Sequence, residues 1–356
     1  MRILHVTRDY PPRSTGGLST AVAGLVGATN TLGIDNQIVS FDGWRPKSKA
    51  PPPSPTPREN EYRVVGSSQL NDAKRFAQEF RPQIVHVHSA MLWGFAHDIA
   101  HEQNAKTIFQ LHVDQAKQNR IRGIEVTQSS EAQKRALKEA DLVVAPSHST
   151  ADSVAHGGVH IVTLPFGIER CCKADYSLSR KRKSLLYAAR YSDMRGTDRL
   201  VELAQKLPGI EIRVAGGIPE NSRNQEKWDS QLRTQDNITL LGWLPRPELC
   251  EEMKSAKLFI APCREETFGL SVSEALSHTL PVVAFSVGAI PERLAGGGGV
   301  LVPNGDTEAF TNAVQKSLDA PDQLREEAKI VREKQYWEAR QAAYLDCYRS
   351  VVGSER

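Results

Sequence analysis

Residues 258–292, "LFIAPCREETFGLSVSEALSHTLPVVAFSVGAIPE", decide the fold. The apolar run that closes at Pro262 reads as a strand, and a polar loop follows it. An apolar helical run opens near Gly269 or Leu270, and "PVVAF" (281–285) reads as the next strand. Strand, crossover helix and strand make the repeating unit of a parallel sheet. Two carboxylates, Glu266 and Glu274, stand eight positions apart in this unit, on either side of Thr267-Phe268-Gly269.

The same alternation runs outward in both directions. On the C-terminal side comes "GVLV" (299–302); on the N-terminal side come "SLLYAA" (184–189), "EIRVAG" (211–216) and "ITLLG" (238–242). Before residue 171 an earlier series reads as "RILHVT" (2–7), "QIVSF" (37–41), "YRVVG" (62–66), "QIVHVH" (83–88), "KTIFQLH" (106–112), "DLVVAP" (141–146) and "HIVTLP" (160–165). The expected architecture is therefore α/β, with two Rossmann-like doubly wound domains. A chain of 356 residues suits two domains of roughly 100–200 residues each. The boundaries are expected at 1–170 and 171–338. The run "EKQYWEARQAAYLDCYRSVV" supplies a terminal helix, 339–356, that crosses back to the first domain.

Composition narrows the function classes. An apolar fraction of 40% and a charged fraction of 24% describe a folded globular chain. A formal charge of +3, with no Lys/Arg stripe interleaved with aromatics, argues against nucleic acid as a partner. The start "MRILHVTRDYPP" lacks the features of a signal peptide, and no run approaches the length of a membrane span. The charge run at 180–183 reads as a solvated linker, with a weak peripheral membrane contact as its alternative. Residues 45–57, "RPKSKAPPPSPTP", read as a proline-rich surface loop. Five cysteines without paired spacing point to a reducing cytoplasm and to neither a zinc site nor a disulfide framework.

In open α/β sheets ligands sit beyond the carboxyl ends of the strands. Glu266 lies on such a loop, and the helix that follows offers free backbone N–H groups to a phosphate or a sugar oxygen. Glu274, in its early turns, is placed to accept from paired ribose hydroxyls. Taken alone, the pair also reads as a loop acid and a helix-dipole acid at the surface.

The stretch resembles the nucleotide-sugar signature of the retaining glycosyltransferases of family 4, which have the GT-B fold. The likeness lies in the E-x7-E spacing, the enclosed Phe-Gly, the closing Glu-Ala, the Pro-Val-Val strand and the later Gly-x-x-Pro-Glu. It implies two domains facing each other across a cleft, acceptor on the first and donor on the second. It implies a nucleoside-diphosphate sugar as donor, an acceptor hydroxyl on a glycan, lipid or small metabolite, and no metal or other cofactor. Residue by residue, it implies that Glu266 holds the transferred sugar, helped by the N–H groups of Phe268, Gly269 and Leu270, and that Glu274 holds the nucleotide ribose. In "LLYAARYSDMRGTDRL" it sets Arg190 and Arg195 on the diphosphate, with Arg195 standing where the family usually has Lys. In "PPRSTGGLSTAV" it makes Gly16 and Gly17 a loop of close backbone approach, and it puts His112 beside the transferred sugar.

His86 and His88 read as supports of the fold or the acceptor side, because no third His or carboxylate stands at ligand spacing along the chain. His112, Asp114 and Asp9 would be the candidate bases of an inverting reaction; the resemblance selects retention. Alternatives are another GT-B enzyme, such as a sugar-nucleotide epimerase or a phosphorylase, and a non-catalytic nucleotide-sugar-binding regulator.

Overall fold

The computed structural model describes residues 1–12, 16–41, 60–64, 66–155, 159–170, 184–217 and 222–353. The proline-rich stretch at 45–57 and the charge run at 180–183 lie outside these. The chain divides into two compact units, Met1–Gly167 with Arg340–Arg356, and Ile168–Ala339.

The first unit is a seven-stranded sheet. Its strands are β1 (Arg2–Thr7), β2 (Asp35–Ser40), β3 (Glu61–Arg63), β4 (Ile84–Val87), β5 (Lys106–Gln110), β6 (Leu142–Ala145) and β7 (Ile161–Thr163), in the spatial order β3-β2-β1-β4-β5-β6-β7. All neighbours are parallel. Helices cover both faces of such a sheet, so its central strands read as near-continuous apolar runs. Ile3, Leu4, Val6, Val85 and Val87 are accordingly buried. The order reverses between β1 and β4, where the register sets His5 directly opposite His86.

The terminal run does not form one helix. Tyr336 is extended and lies beside Ile168, whose N–H donates to the Gln335 carbonyl at 2.8 Å while the Trp337 N–H donates to the Ile168 carbonyl at 3.2 Å. That pairing restricts Arg332–Gln335 and Trp337–Ala339 to short 3-10 turns, and the helix begins at Gln341. Helix Gln341–Gly353 belongs to the first unit, where the Tyr344 hydroxyl donates to the Leu164 carbonyl at 3.0 Å.

The second unit is a six-stranded parallel sheet of β8 (Ser184–Arg190), β9 (Glu211–Gly217), β10 (Ile238–Gly242), β11 (Leu258–Ala261), β12 (Val282–Phe285) and β13 (Gly299–Val302). Its order is β10-β9-β8-β11-β12-β13. The reversal lies between β8 and β11, and Leu185, Leu186, Leu258, Phe259, Ile260, Val282 and Val283 form the middle of its core.

Among the described residues no helix is long and apolar enough to cross a membrane. Cys263 and Cys347 are free and buried. Cys250 is disulfide-bonded, which the spacing of the cysteines along the chain did not indicate.

Candidate active site

Doubly wound sheets bind ligands at the point where the strand order reverses. In the second unit that point is flanked by the loop after β8 and the loop after β11, which carry most of the expected donor residues. Arg190 is the last residue of β8 and is exposed. The chain then turns through Asp193–Arg195, with the Ser192 hydroxyl accepting from the Arg195 N–H at 3.3 Å. Gly196 closes the turn at a φ of +73°, and a Cβ there would lie 2.1 Å from the Pro262 carbonyl oxygen. Only glycine permits both the left-handed backbone and this approach, which draws the turn onto the end of β11.

Arg195 thereby reaches across to the Glu266 carboxylate and forms an ion pair with it, and it also donates to the Glu265 carbonyl at 3.3 Å. Glu266 is the first cause holding the Arg195 guanidinium above its ordinary pKa range. The other oxygen of Glu266 accepts from the N–H groups of Thr267 at 3.0 Å and Phe268 at 3.4 Å. From behind, the Glu266 carbonyl accepts from the Ala289 N–H at 2.8 Å. This contact needs Gly288, at a φ of +50°, because a Cβ there would stand 1.9 Å from that carbonyl oxygen. The loop is tied a second time by Arg264, whose guanidinium donates to both Asp198 carboxylate oxygens at 2.7 and 2.6 Å.

Gly269 is the N-cap of helix Leu270–Ser277, and no side chain caps it. Phe268 is buried beneath the Arg293 guanidinium, 4.5 Å from its ring centre. Glu274, in the second turn, pairs with Arg246 at 3.2 Å, a partner that nothing in the local sequence announced. Burial raises the pKa of the Glu274 carboxyl, with Arg246 opposing and Glu169 adding to the rise. Arg195 and Glu266 are thus brought into contact, Arg190 shares the loop with Arg195, and Glu274 has a cation of its own.

In the first unit Gly16 and Gly17 follow the end of β1 and open helix Gly17–Asn30. A Cβ on Gly16 would meet no described atom within 4 Å. His112 lies just beyond β5, half-buried, with its ring stacked 5.3 Å from that of Phe166. Burial pushes its pKa down to about 3, which keeps the ring neutral. Its Nε2 is 3.2 Å from Nδ1 of His88. Asp114 is buried and engaged as a helix N-cap, accepting from the Lys117 N–H at 2.9 Å.

Spacing along the chain offered His86 and His88 no third histidine, and the sheet supplies one. His5, on the neighbouring strand, brings the ligand atoms of the three rings within 4.8 Å of one another, the one such group among the described residues. These are the residues that could hold a metal ion. Their geometry is that of hydrogen-bonded neutral rings, with His5 Nδ1 at 3.0 Å from His88 Nε2 and His86 Nδ1 at 3.0 Å from the Tyr348 hydroxyl. Among the described residues no carboxylate joins the group to offset a cation's charge.

Two family models match consecutive stretches of the chain. "Glycosyltransferase Family 4" covers residues 15–170 and "Glycosyl transferases group 1" covers residues 173–335. The chain belongs to the family 4 glycosyltransferases. The chain is 29% identical over 171 residues to the D-inositol 3-phosphate glycosyltransferase of Mycolicibacterium smegmatis, a match covering 47% of this chain and only 39% of that relative's length. It is 26% identical over 371 residues to the alpha-maltose-1-phosphate synthase of the same organism, covering 94% of each. Among solved structures, Anabaena HepE in complex with UDP and glucose superposes with a TM-score of 0.76 at 16% identity, over 98% of this chain and 99% of that one. The chain therefore has the GT-B fold.

Proposed function

We propose that this chain transfers a sugar from a nucleoside diphosphate to an acceptor hydroxyl, with retention of anomeric configuration and without a metal ion. The observation that carries the reading is the Arg195–Glu266 pair at the strand-order reversal of the second unit, beside the uncapped start of helix Leu270–Ser277. A diphosphate is drawn to Arg190, to Arg195 and to the helix N-terminus, while Glu266 accepts from hydroxyls of the sugar. Phe268 already gives its N–H to Glu266, which leaves Gly269 and Leu270 to meet the phosphate or sugar oxygens. Glu274, held by Arg246, accepts from the ribose hydroxyls. The second unit is the donor side and the first the acceptor side. The structure solved with UDP and glucose, and the relative named for transfer to an inositol phosphate, support a nucleotide-sugar donor and a hydroxyl acceptor.

In the chemical step the bond from the anomeric carbon to the diphosphate breaks as the acceptor oxygen bonds to the same face. The acceptor proton passes to the departing diphosphate oxygen. Arg190 and Arg195 stabilise the charge that grows on that leaving group. An inverting reaction would need a base with a pKa near the working pH on the opposite face. His112, with its pKa lowered to about 3, and Asp114, tied into a helix cap, are poorly suited to that task.

The test uses a panel of nucleotide sugars. A cognate donor at 100 times its Kd stabilises the fold by about 2.7 kcal/mol in a melting assay. NMR of the first-formed product from an α-linked donor is expected to show an α linkage, in excess EDTA as in its absence. A β linkage overturns the mechanism; activity lost to EDTA and restored only by Mg²⁺ or Mn²⁺ overturns metal independence.

A further inference from the structure

A line of side chains in the first unit, buried up to its half-buried last member, runs from Asn36 through His5 and His88 to His112, crossing the point where the strand order reverses. Asn36 starts it with a fixed orientation. Its Nδ2 lies 3.0 Å from Thr29 Oγ1, 2.8 Å from Asn30 Oδ1 and 3.3 Å from the Ile34 carbonyl. Thr29 already donates its own proton to the Leu25 carbonyl at 2.8 Å, so towards Asn36 it can only accept. The amide nitrogen is therefore on that side, and Oδ1 faces His5 Nε2 at 2.9 Å.

A carbonyl oxygen accepts, so His5 carries its proton on Nε2. A neutral imidazole has one donor and one acceptor nitrogen, which makes His5 Nδ1 an acceptor. Across 3.0 Å, His88 must donate to it from Nε2. His88 Nδ1 is then an acceptor in turn, and across 3.2 Å it takes the Nε2 proton of His112. Burial keeps each ring neutral, lowering the pKa of His5 to about 4, of His112 to about 3, and of His88 well below its ordinary value. His112 Nδ1 ends the line with a lone pair and no hydrogen-bond partner among the described residues.

We propose that Asn36, His5 and His88 are positioning residues that lock His112 in its Nε2–H tautomer, so that its Nδ1 accepts a hydrogen bond from a hydroxyl of the sugar and disfavours an anionic oxygen at the same place. The ligand's identity rests on the proposed function; the tautomer does not. At every link the donor lies nearer His112 and the acceptor nearer Asn36. Reversing one link would set two donors or two lone pairs against each other in a buried site, where an unmade hydrogen bond is costly. The last imidazole is thereby set by an amide three side chains away.

Long-range ¹H–¹⁵N correlation spectra of the full-length ¹⁵N-labelled protein, recorded without any nucleotide, report which nitrogen of each histidine is protonated. The expected result at neutral pH is a single Nε2–H form for His5, His88 and His112. In His5→Gln the side-chain amide can donate to Asn36 and accept from His88, so the His112 signature is retained. His5→Leu removes the acceptor of His88 Nε2–H, and the His112 signal moves towards the Nδ1–H form. A wild-type His112 protonated on Nδ1 or present as a mixture overturns the proposal, as does a His112 signature that ignores His5→Leu. Should His5→Leu fail to fold, the wild-type and His5→Gln spectra decide. A protein that transfers no sugar leaves these spectra unaffected, so failure of the proposed function and failure of the relay are told apart.

Discussion

Replacing Glu274 by Gln separates the cost of this carboxylate in the free protein from its use in binding. Glu274 is largely buried and faces Arg246 at 3.2 Å, and burial outweighs that cation, leaving its pKa raised. An acid whose folded pKa lies above its unfolded value contributes stability that is present below the unfolded pKa and is lost as pH rises through the folded one. Above that window the ionised Glu274 is therefore a net cost to folding. Gln keeps the volume and one acceptor oxygen, and Arg246 retains a bond to the Glu169 carbonyl. The variant is expected to be at least as stable as the parent at neutral pH, with a shallower decline of stability above about pH 4.3. Donor binding should move the other way. Losing one charge-assisted hydrogen bond to ribose costs about 1.5–3 kcal/mol, or roughly a 10- to 150-fold rise in Kd. Urea titrations at several pH values measure the first effect, and calorimetry with the nucleoside diphosphate measures the second. Unchanged affinity would refute the ribose role. A stability loss equal to the affinity loss would show instead that the Arg246 pair is structural and that burial does not dominate.

Three further outcomes are expected. Arg190→Ala should lower turnover more than Arg195→Ala, since Arg190 matches the family's arginine whereas Arg195 stands where the family usually has Lys; a larger loss in Arg195→Ala reverses the assignment. Gly288→Ala places a Cβ 1.9 Å from the Glu266 carbonyl oxygen at a left-handed φ, so denaturation should show a loss of about 2–5 kcal/mol from backbone strain plus overpacking, and a loss below about 1 kcal/mol would show that the loop yields easily. Stability should fall as pH drops from about 6.5 towards 4, because His5, His86, His88 and His112 have folded pKa values below their unfolded ones and the unfolded chain binds protons first; urea midpoints for His5→Gln should fall less steeply over that interval, and an identical slope would contradict the neutral buried state.

The strands were legible because a parallel sheet is covered on both faces, and a strand such as "KLFIAP" then has to be apolar along nearly its whole length. The Glu266 to Glu274 spacing was legible for an equally local reason: a loop, a glycine and two helical turns lie within one continuous segment. Partners that meet across strands leave no such trace. Glu266 finds Arg195 71 residues away because Gly196 lets the turn after β8 close on Pro262, and Glu274 finds Arg246 at a separation of 28 residues. Along the chain His86 and His88 lacked a third histidine, yet the parallel register of β1 with β4 sets His5 opposite His86, and His5 meets His88 across 83 positions. The terminal run shows the same division, since its helical spacing predicted a single helix and the pairing of Ile168 with Tyr336 delayed the start to Gln341. Local composition and periodicity determined which segments are strands and helices, because those depend on neighbours in sequence. Which charges are paired and which nitrogen of His112 is bare were decided only by the tertiary fold, because each depends on a partner that sheet order and register bring within about 3 Å.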